Sequence, residues 1–286
     1  MISKTLSGYD AQSRGKPLLP ILKPRNRSTW NARVARAQQR AEERSAASEV
    51  LTFYVRVLEF QRALYEGCQK SRKLAEKRSG KLRENLDWGL AVTALPDLVV
   101  LVQRHGPSTL ADQSDQLTSV AGLKLASGWL NSDAQTYGPA SFFSRVVLEP
   151  QAEYLAETET WPSGKVAGNR CPNCESLPQL AVIRPEGDGG KRMLLCSLCH
   201  SEWEFRRILC PSCGEENHEK LPRYIADGVP AVRVEACDSC GKYLKSVDLT
   251  LDGLAVPEVD EVATAALDVW ATEHGYSKIQ SNIMGF

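Results

Sequence analysis

The sequence predicts an α+β chain of several domains: an N-terminal all-α helical domain, then two small metal modules of short strands, then a C-terminal helix. Three observations predict it. From Ser28 to Thr160 apolar residues recur at helical spacing. Near Trp161 that texture gives way to short β-prone runs. Eight of the nine cysteines fall in four CxxC pairs between Cys171 and Cys240. The divisions that follow are 1–162 for the helical domain, with its first residues as an extended lead-in, 163–209 for the first module, and 210–286 for the second module with the terminal helix. With 286 residues, 42% hydrophobic and 24% charged, the chain has ordinary globular composition, so a packed core is expected.

The helical elements follow in order. "STWNARVARAQQRAEERSA" offers Ser28 or Thr29 as an N-cap before a basic, alanine-rich helix. The next helix places Val50, Phe53, Tyr54, Val57, Leu58, Leu64 and Tyr65 on one face, with Ser48 as its cap. Further helices are expected near Leu86, at Pro96 as a first-turn proline, at Ser108 and at Pro139, with "HGP" and "YGP" as breaks. Five or six helices of this size make a bundle.

After Trp161, strands are expected at "PQLAVIR", "RMLLC", "EWEFRRILC", "AVRVEAC" and "YLKSVDLTL", alternating with the cysteine pairs. A last helix is expected at 258–274, its acidic first turn suiting the positive end of the helix dipole. Charge is polarised between the ends: residues 1–50 carry a net +6 and residues 246–286 a net −6. These can dock on each other or on a partner, but two solvated faces are the plainer expectation.

A CxxC turn puts two sulfurs on one side of a tight loop whose N–H groups stabilise thiolate charge. Two such turns joined by a hairpin supply a tetrahedral S₄ set, which selects zinc or iron. The pattern is C-x₂-C-x₂₁-C-x₂-C followed by C-x₂-C-x₂₃-C-x₂-C. Sequential pairing makes site one from Cys171, Cys174, Cys196 and Cys199, and site two from Cys210, Cys213, Cys237 and Cys240. Each half then resembles a rubredoxin-like or zinc-ribbon-like unit. Only ten residues separate Cys199 from Cys210, so pairing of the two middle turns is the alternative. Gly214 and Gly241 follow the last cysteine of the third and fourth turns, where positive φ is useful; Glu175 and His200 stand there in the first two, which predicts a looser site one. His200 is expected at the surface, with ligation as the sharper option, and Cys68 as a packed apolar thiol. After "EACDSCGKYLK", Tyr243 and Leu244 should cover the metal while Lys242 and Lys245 face water.

Other chemistry is weakly signalled. GxxxxGK[ST], GxGxxG, HExxH and GxSxG motifs are absent from the sequence, and its four histidines do not pair at ligand spacing. "DQSDQ" at 112–116 reads as a solvated helix start, so the protein is expected not to be an enzyme. No run approaches the length of a membrane span, and the first residues lack a secretory apolar region, so a cytoplasmic location is expected, where paired thiols stay reduced. Residues 171–245 carry a net −1, too little positive charge for a nucleic-acid module, and the basic tracts "KPRNR" and "KSRKLAEKRSGKLR" lie elsewhere.

With "CPNCESLPQLAVI", "LLCSLCHSEWEFRRILCPSC", "EACDSCGKYLK" and "DEVATAALDVWATEHGY" in order, residues 165 to 280 resemble the FdhE family of formate dehydrogenase accessory proteins. The resemblance implies a cytoplasmic protein acting on the catalytic subunit of respiratory formate dehydrogenase before its export by the twin-arginine route. It also implies iron, one ion in each Cys₄ site, with zinc as the alternative that spacing leaves open. The competing readings are an Fe–thiolate redox or oxygen-sensing module and, last, a nucleic-acid-binding zinc ribbon. Oligomeric state is not written in the sequence.

Overall fold

The computed structural model describes residues 2–5, 28–43, 47–71, 80–114, 139–161 and 168–286. The tract "KPRNR", most of the second basic tract, Asp115, Gln116 and the 162/163 boundary lie outside the described residues.

Helix α1 (Trp30–Glu42) is capped by Thr29, whose hydroxyl accepts from the Ala32 N–H at 3.2 Å. Helix α2 (Ser48–Lys70) begins at Ser48 itself and has no side-chain cap. The helix expected at Pro96 is instead the second half of α3 (Trp88–His105), which starts where the Asp87 carboxylate accepts from the N–H groups of Gly89 and Leu90. A proline interrupts one ladder bond, but the cap and the buried stripe Ala91, Ala94, Leu98 and Val102 hold the helix through it. Helix α4 (Ser108–Ser114) follows, and α5 (Pro139–Thr158) runs through the bundle centre, buried nearly all round from Phe142 to Ala152.

The C-terminal half is one mixed sheet. Its strands are β2 (Pro178–Glu186), β3 (Gly189–Cys196), β4 (Glu202–Glu204), β5 (Arg223–Ala226), β6 (Val232–Cys237), β7 (Lys242–Asp248) and β8 (Ser277–Lys278), joined by β1 (Ile2–Thr5) at the edge. The order is β1-β5-β6-β7-β2-β3-β4, with β8 on β7. Each half contributes antiparallel strands, and the halves join where β2 lies parallel to β7, from Leu180 opposite Lys245 to Ile183 opposite Asp248. The pleat sends alternate residues to opposite faces. Ala181, Leu194 and Leu244 pack with the helical domain, while Leu180, Val182, Leu195, Val234 and Val247 form a second core under the last helix.

The helix expected at 258–274 is two: α6 (Pro257–Ala263) and α7 (Ala265–Glu273), broken at Thr264. The Thr264 hydroxyl donates to the carbonyls of Asp260 and Glu261 at 2.9 and 3.1 Å, competing with the ladder. The freed Glu261 and Thr264 carbonyls accept from Lys245 Nζ. The charged ends are not two solvated faces. Arg33 and Arg36, both buried, and the partly buried Arg40 meet Glu258 and Asp260 across α1 and α6, with Asp252 beside them.

Candidate metal centres

Four copies of one turn carry the cysteines. In three of them the N–H of the first cysteine donates to the carbonyl five residues on, at Ser176, Ser201 and Glu215, at 2.9 to 3.0 Å. In the fourth, Cys237 pairs with Lys242 across the β6/β7 ladder. The residue after the second cysteine is left-handed each time: Glu175 at φ 61°, His200 at 50°, Gly214 at 78° and Gly241 at 64°. The strands then decide which turns meet. Because β3 returns antiparallel along β2, Cys196 and Cys199 come back to Cys171 and Cys174; β6 and β7 bring Cys237 and Cys240 to Cys210 and Cys213. The pairing is the sequential one.

In each set of four, the sulfurs all lie within 4.8 Å of one another. Site two has Cys210 and Cys240 sulfurs 3.8 Å apart and Cys213 and Cys237 sulfurs 3.7 Å apart. A tetrahedron with metal–sulfur bonds near 2.3 Å has edges of about 3.8 Å, so the donor set fits a soft divalent ion. Site one is tighter, at 3.5 Å for Cys171 and Cys199 and 3.3 Å for Cys174 and Cys196. N–H groups point at the sulfurs: Leu198 and Cys199 toward Cys196, and Ser212 toward Cys210.

The two sites differ in surroundings. All four site-one cysteines are buried, and site one is not the looser of the two; in site two Cys213 is exposed and Cys240 half-buried. Site one also has a hydroxyl beside each half. Ser176 Oγ lies 3.2 Å from Cys174 Sγ and accepts from Arg83 Nη2 at 2.6 Å; Ser201 Oγ lies 3.2 Å from Cys199 Sγ and accepts from Asn173 Nδ2 at 2.8 Å. Each hydroxyl accepts from its cysteine while that is a thiol and has its own proton to donate once the sulfur is a thiolate. Burial opposes charge on every site-one thiol and pushes Cys171 and Cys196 up, while in Cys174 neighbouring thiol hydrogen bonds and Arg83 outweigh it and hold the group well below the ordinary thiol range.

The second site-one turn is bolted to the helical domain. Arg145 of α5 donates to the Ser197 carbonyl at 3.0 Å, to Gln179 and to the Ser281 carbonyl. His200 is neither a surface residue nor a ligand: it is buried, with Nδ1 3.1 Å from Glu153 Oε2 on α5. Glu153 also takes both guanidinium N–H groups of Arg33 at 2.8 and 2.9 Å. Burial would raise its carboxyl, but Arg33 and His200 hold it at about 2.

Lys245 does not face water. It is fully buried, 2.5 Å from Asp268 and 3.3 Å from Glu261, and Tyr243 turns away from site two to donate to Asp268 at 2.9 Å. Leu244, on the other face, lines a small cleft beside Cys210 and Cys237 that Arg207, Arg223 and Lys242 also border. Cys68 is a buried thiol pushed up to about 12 by burial and by Asp87. Spacing did not single out Arg83, Arg145, Glu153, Ser176 or Ser201. For the serines a signal existed: "ES" and "HS" follow the second cysteine of both site-one turns.

An all-α domain carrying a sheet with two zinc-ribbon-like Cys₄ knuckle sets defines the class of protein. Residues 170–207 match the family model of the FdhE central domain and residues 194–284 that of the FdhE C-terminal domain. The FdhE homologue of Aquifex aeolicus is 27% identical over 254 residues, 84% of this chain and 89% of the relative. That of Pseudomonas aeruginosa is 40% identical over 119 residues, 40% of this chain and 38% of the relative. The crystal structure of the FdhE protein from Pseudomonas aeruginosa shares the fold, with a TM-score of 0.66 at 23% identity, over 93% of this chain and 98% of that one. Residues 170–284 thus match the two FdhE domains, and the chain as a whole is similar to FdhE homologues and shares the fold of one of them.

Proposed function

We propose that this protein is a cytoplasmic accessory factor for respiratory formate dehydrogenase, binding the catalytic subunit before export, with a metal ion held by each Cys₄ set. Iron is the ion proposed, zinc the alternative. The observation that carries the reading is the pair of Cys₄ clusters built into the segment that matches the two FdhE domains. Cys171, Cys174, Cys196 and Cys199 would hold one ion, and Cys210, Cys213, Cys237 and Cys240 the other. Bound there, an ion supplies cross-linking of four thiolates, and with iron a one-electron couple. This chain's own residues do the rest. The knuckle N–H groups and the Ser176 and Ser201 hydroxyls orient the sulfurs, and the sheet holds the two centres in one rigid frame. Binding, not catalysis, is the role proposed, with module limits near 163–209 and 210–286. Among the described residues no helix is long and apolar enough to cross a membrane.

The test is affinity capture from the cytosol of the source organism with formate dehydrogenase induced, followed by mass spectrometry. Recovery of the catalytic subunit, lost in a Cys237→Ser, Cys240→Ser protein, is the expected result. Recovery of nucleic acid or ribosomal proteins alone would overturn the reading. One observation favours a redox or oxygen-sensing role as the second reading: Cys213 reaches solvent, where an electron or oxygen can arrive. Full restoration of formate dehydrogenase activity by colourless zinc-loaded protein would exclude that role.

A further inference from the structure

We propose that the two Cys₄ sites are unequal in exchange: site one keeps its ion while the protein stays folded, whereas site two is where a soft divalent ion enters and leaves, through the edge made by Cys213 and Cys240. The inference rests on the metal-binding reading above and goes beyond it in giving the two centres different tasks.

Three observations carry it. At site one all four cysteines are at most 1% exposed, and α5 closes over the turn through Arg145 and the Glu153–His200 contact. At site two Cys210 and Cys237 are buried but Cys213 stands in solvent and Cys240 is half-buried. A serine hydroxyl lies 3.2 Å from a sulfur in each half of site one, held in place by Arg83 or Asn173. The positions equivalent to Ser176 and Ser201 in site two are Glu215 and Lys242, and the Glu215 carboxylate is turned away to accept from Ser239 at 2.5 Å and from the Asn217 N–H at 2.9 Å.

Exchange at a thiolate centre is associative: an incoming donor must reach the ion as a sulfur leaves. At site one no cysteine is more than 1% exposed, so no sulfur is open to an incoming donor. At site two Cys213, and next to it Cys240, would be the thiolates that a donor in solution can reach and displace. No oxidant or reductant is needed. A small cleft lined by Arg192, Arg207, Arg223 and Lys242 and by one carboxylate, Glu235, lies against the other two ligands, Cys210 and Cys237, and its net positive lining favours an anionic donor approaching from that side.

The experiment uses the full chain loaded with zinc and an excess of the chromogenic chelator 4-(2-pyridylazo)resorcinol. The total amplitude counts the ions and the time course separates them. Two ions per chain are expected in total, one released from the folded protein in a fast phase and the other at least about tenfold more slowly or only on unfolding, the scale on which outer-shell donors act at metal sites. A Cys213→Ser protein should lose the fast phase and keep one slow ion. Because that variant can fail to fold, N-ethylmaleimide labelling of the unaltered protein with peptide mapping gives an independent reading: Cys213 and Cys240 should be modified first and the four site-one cysteines last. Two ions leaving in a single phase, or maleimide reaching both sites at one rate, would overturn the inference while leaving the metal-binding reading intact. Zero amplitude even after denaturation would overturn both.

Discussion

At positions 175 and 200 the chain uses a glutamate and a histidine where the matching positions of site two use glycine. A side chain in the left-handed region costs about 1–2 kcal/mol. What offsets that cost differs. Glu175 makes only a half-exposed pair with Lys81 at 3.0 Å, the kind of contact that adds about 0–1 kcal/mol, so Glu175→Gly should be neutral or stabilise by up to about 1 kcal/mol in urea unfolding. His200→Gly relieves the same strain but removes one of the two buried partners of Glu153, leaving Arg33, and should destabilise instead. Glu153 itself sets a pH dependence. Its folded value of about 2 lies below the ordinary 4.5, so its contribution is present above about pH 4.5 and is lost as pH falls from there toward 2. The difference corresponds to roughly 3 kcal/mol. Glu153→Gln should therefore lose stability of that order at neutral pH, and its unfolding free energy should change less with pH between about 5 and 2 than that of the unaltered protein. Lys245 sits in a second group of buried charges, with Glu261, Asp268 and Lys278. Removing it leaves Asp268 and Glu261 facing Lys278 alone, and Lys245→Met should cost about 3–5 kcal/mol in the same unfolding assay.

The elements are held to one another by charge as well as by apolar packing. Helix α1 lies on α6 through Arg36, whose guanidinium is 2.9 Å from Asp260, and Arg40 adds a second contact to the same carboxylate at 2.6 Å. The Val256 N–H also donates to Asp260 at 2.7 Å, so one side chain both caps α6 and receives α1. Asp260→Asn keeps the shape and removes the charge. Amide hydrogen exchange in α1 and α6 should then quicken well beyond any change in α3, whose cap at Asp87 and contact to Gln151 lie elsewhere. Equal quickening across all helices would show that α1 is held by apolar packing alone. The break at Thr264 belongs to this scale too: it frees the carbonyls that receive Lys245, fastening the last helical pair to β7.

Across the whole molecule the sheet is the shared wall. One face and site one join the helical core, in which Cys171, Cys174, Cys196 and Cys199 lie with Phe143, Leu148 and Trp203; the other face makes a separate core with Leu267 and Ala271 of α7. Metal removal should therefore act through site one on the seam between halves, not on either core alone. Chelation under reducing, denaturant-assisted conditions should lower the thermal midpoint while the far-ultraviolet helical signal persists at low temperature. Loss of all helical signal at once would show that the helical half cannot stand without the metal modules.

The α+β class, the change of texture near Trp161 and the eight cysteines were legible in the sequence because they depend on local period and spacing: helical faces repeat every three or four residues, and two sulfurs of a CxxC turn meet whatever surrounds them. The helix through Pro96 was not, because a cap at Asp87 and burial on α5 outweighed the local preference of proline. Nor was the burial of Lys245, the position of His200, or the docking of the basic helix on the acidic one. Each depends on charges more than 40 residues apart or on opposite sides of a strand crossing, which no local pattern records. The eight cysteines of the two clusters were thus legible in the sequence alone. Which centre is enclosed and which is open was decided by tertiary structure, because α5 covers one pair of turns and leaves Cys213 of the other in water.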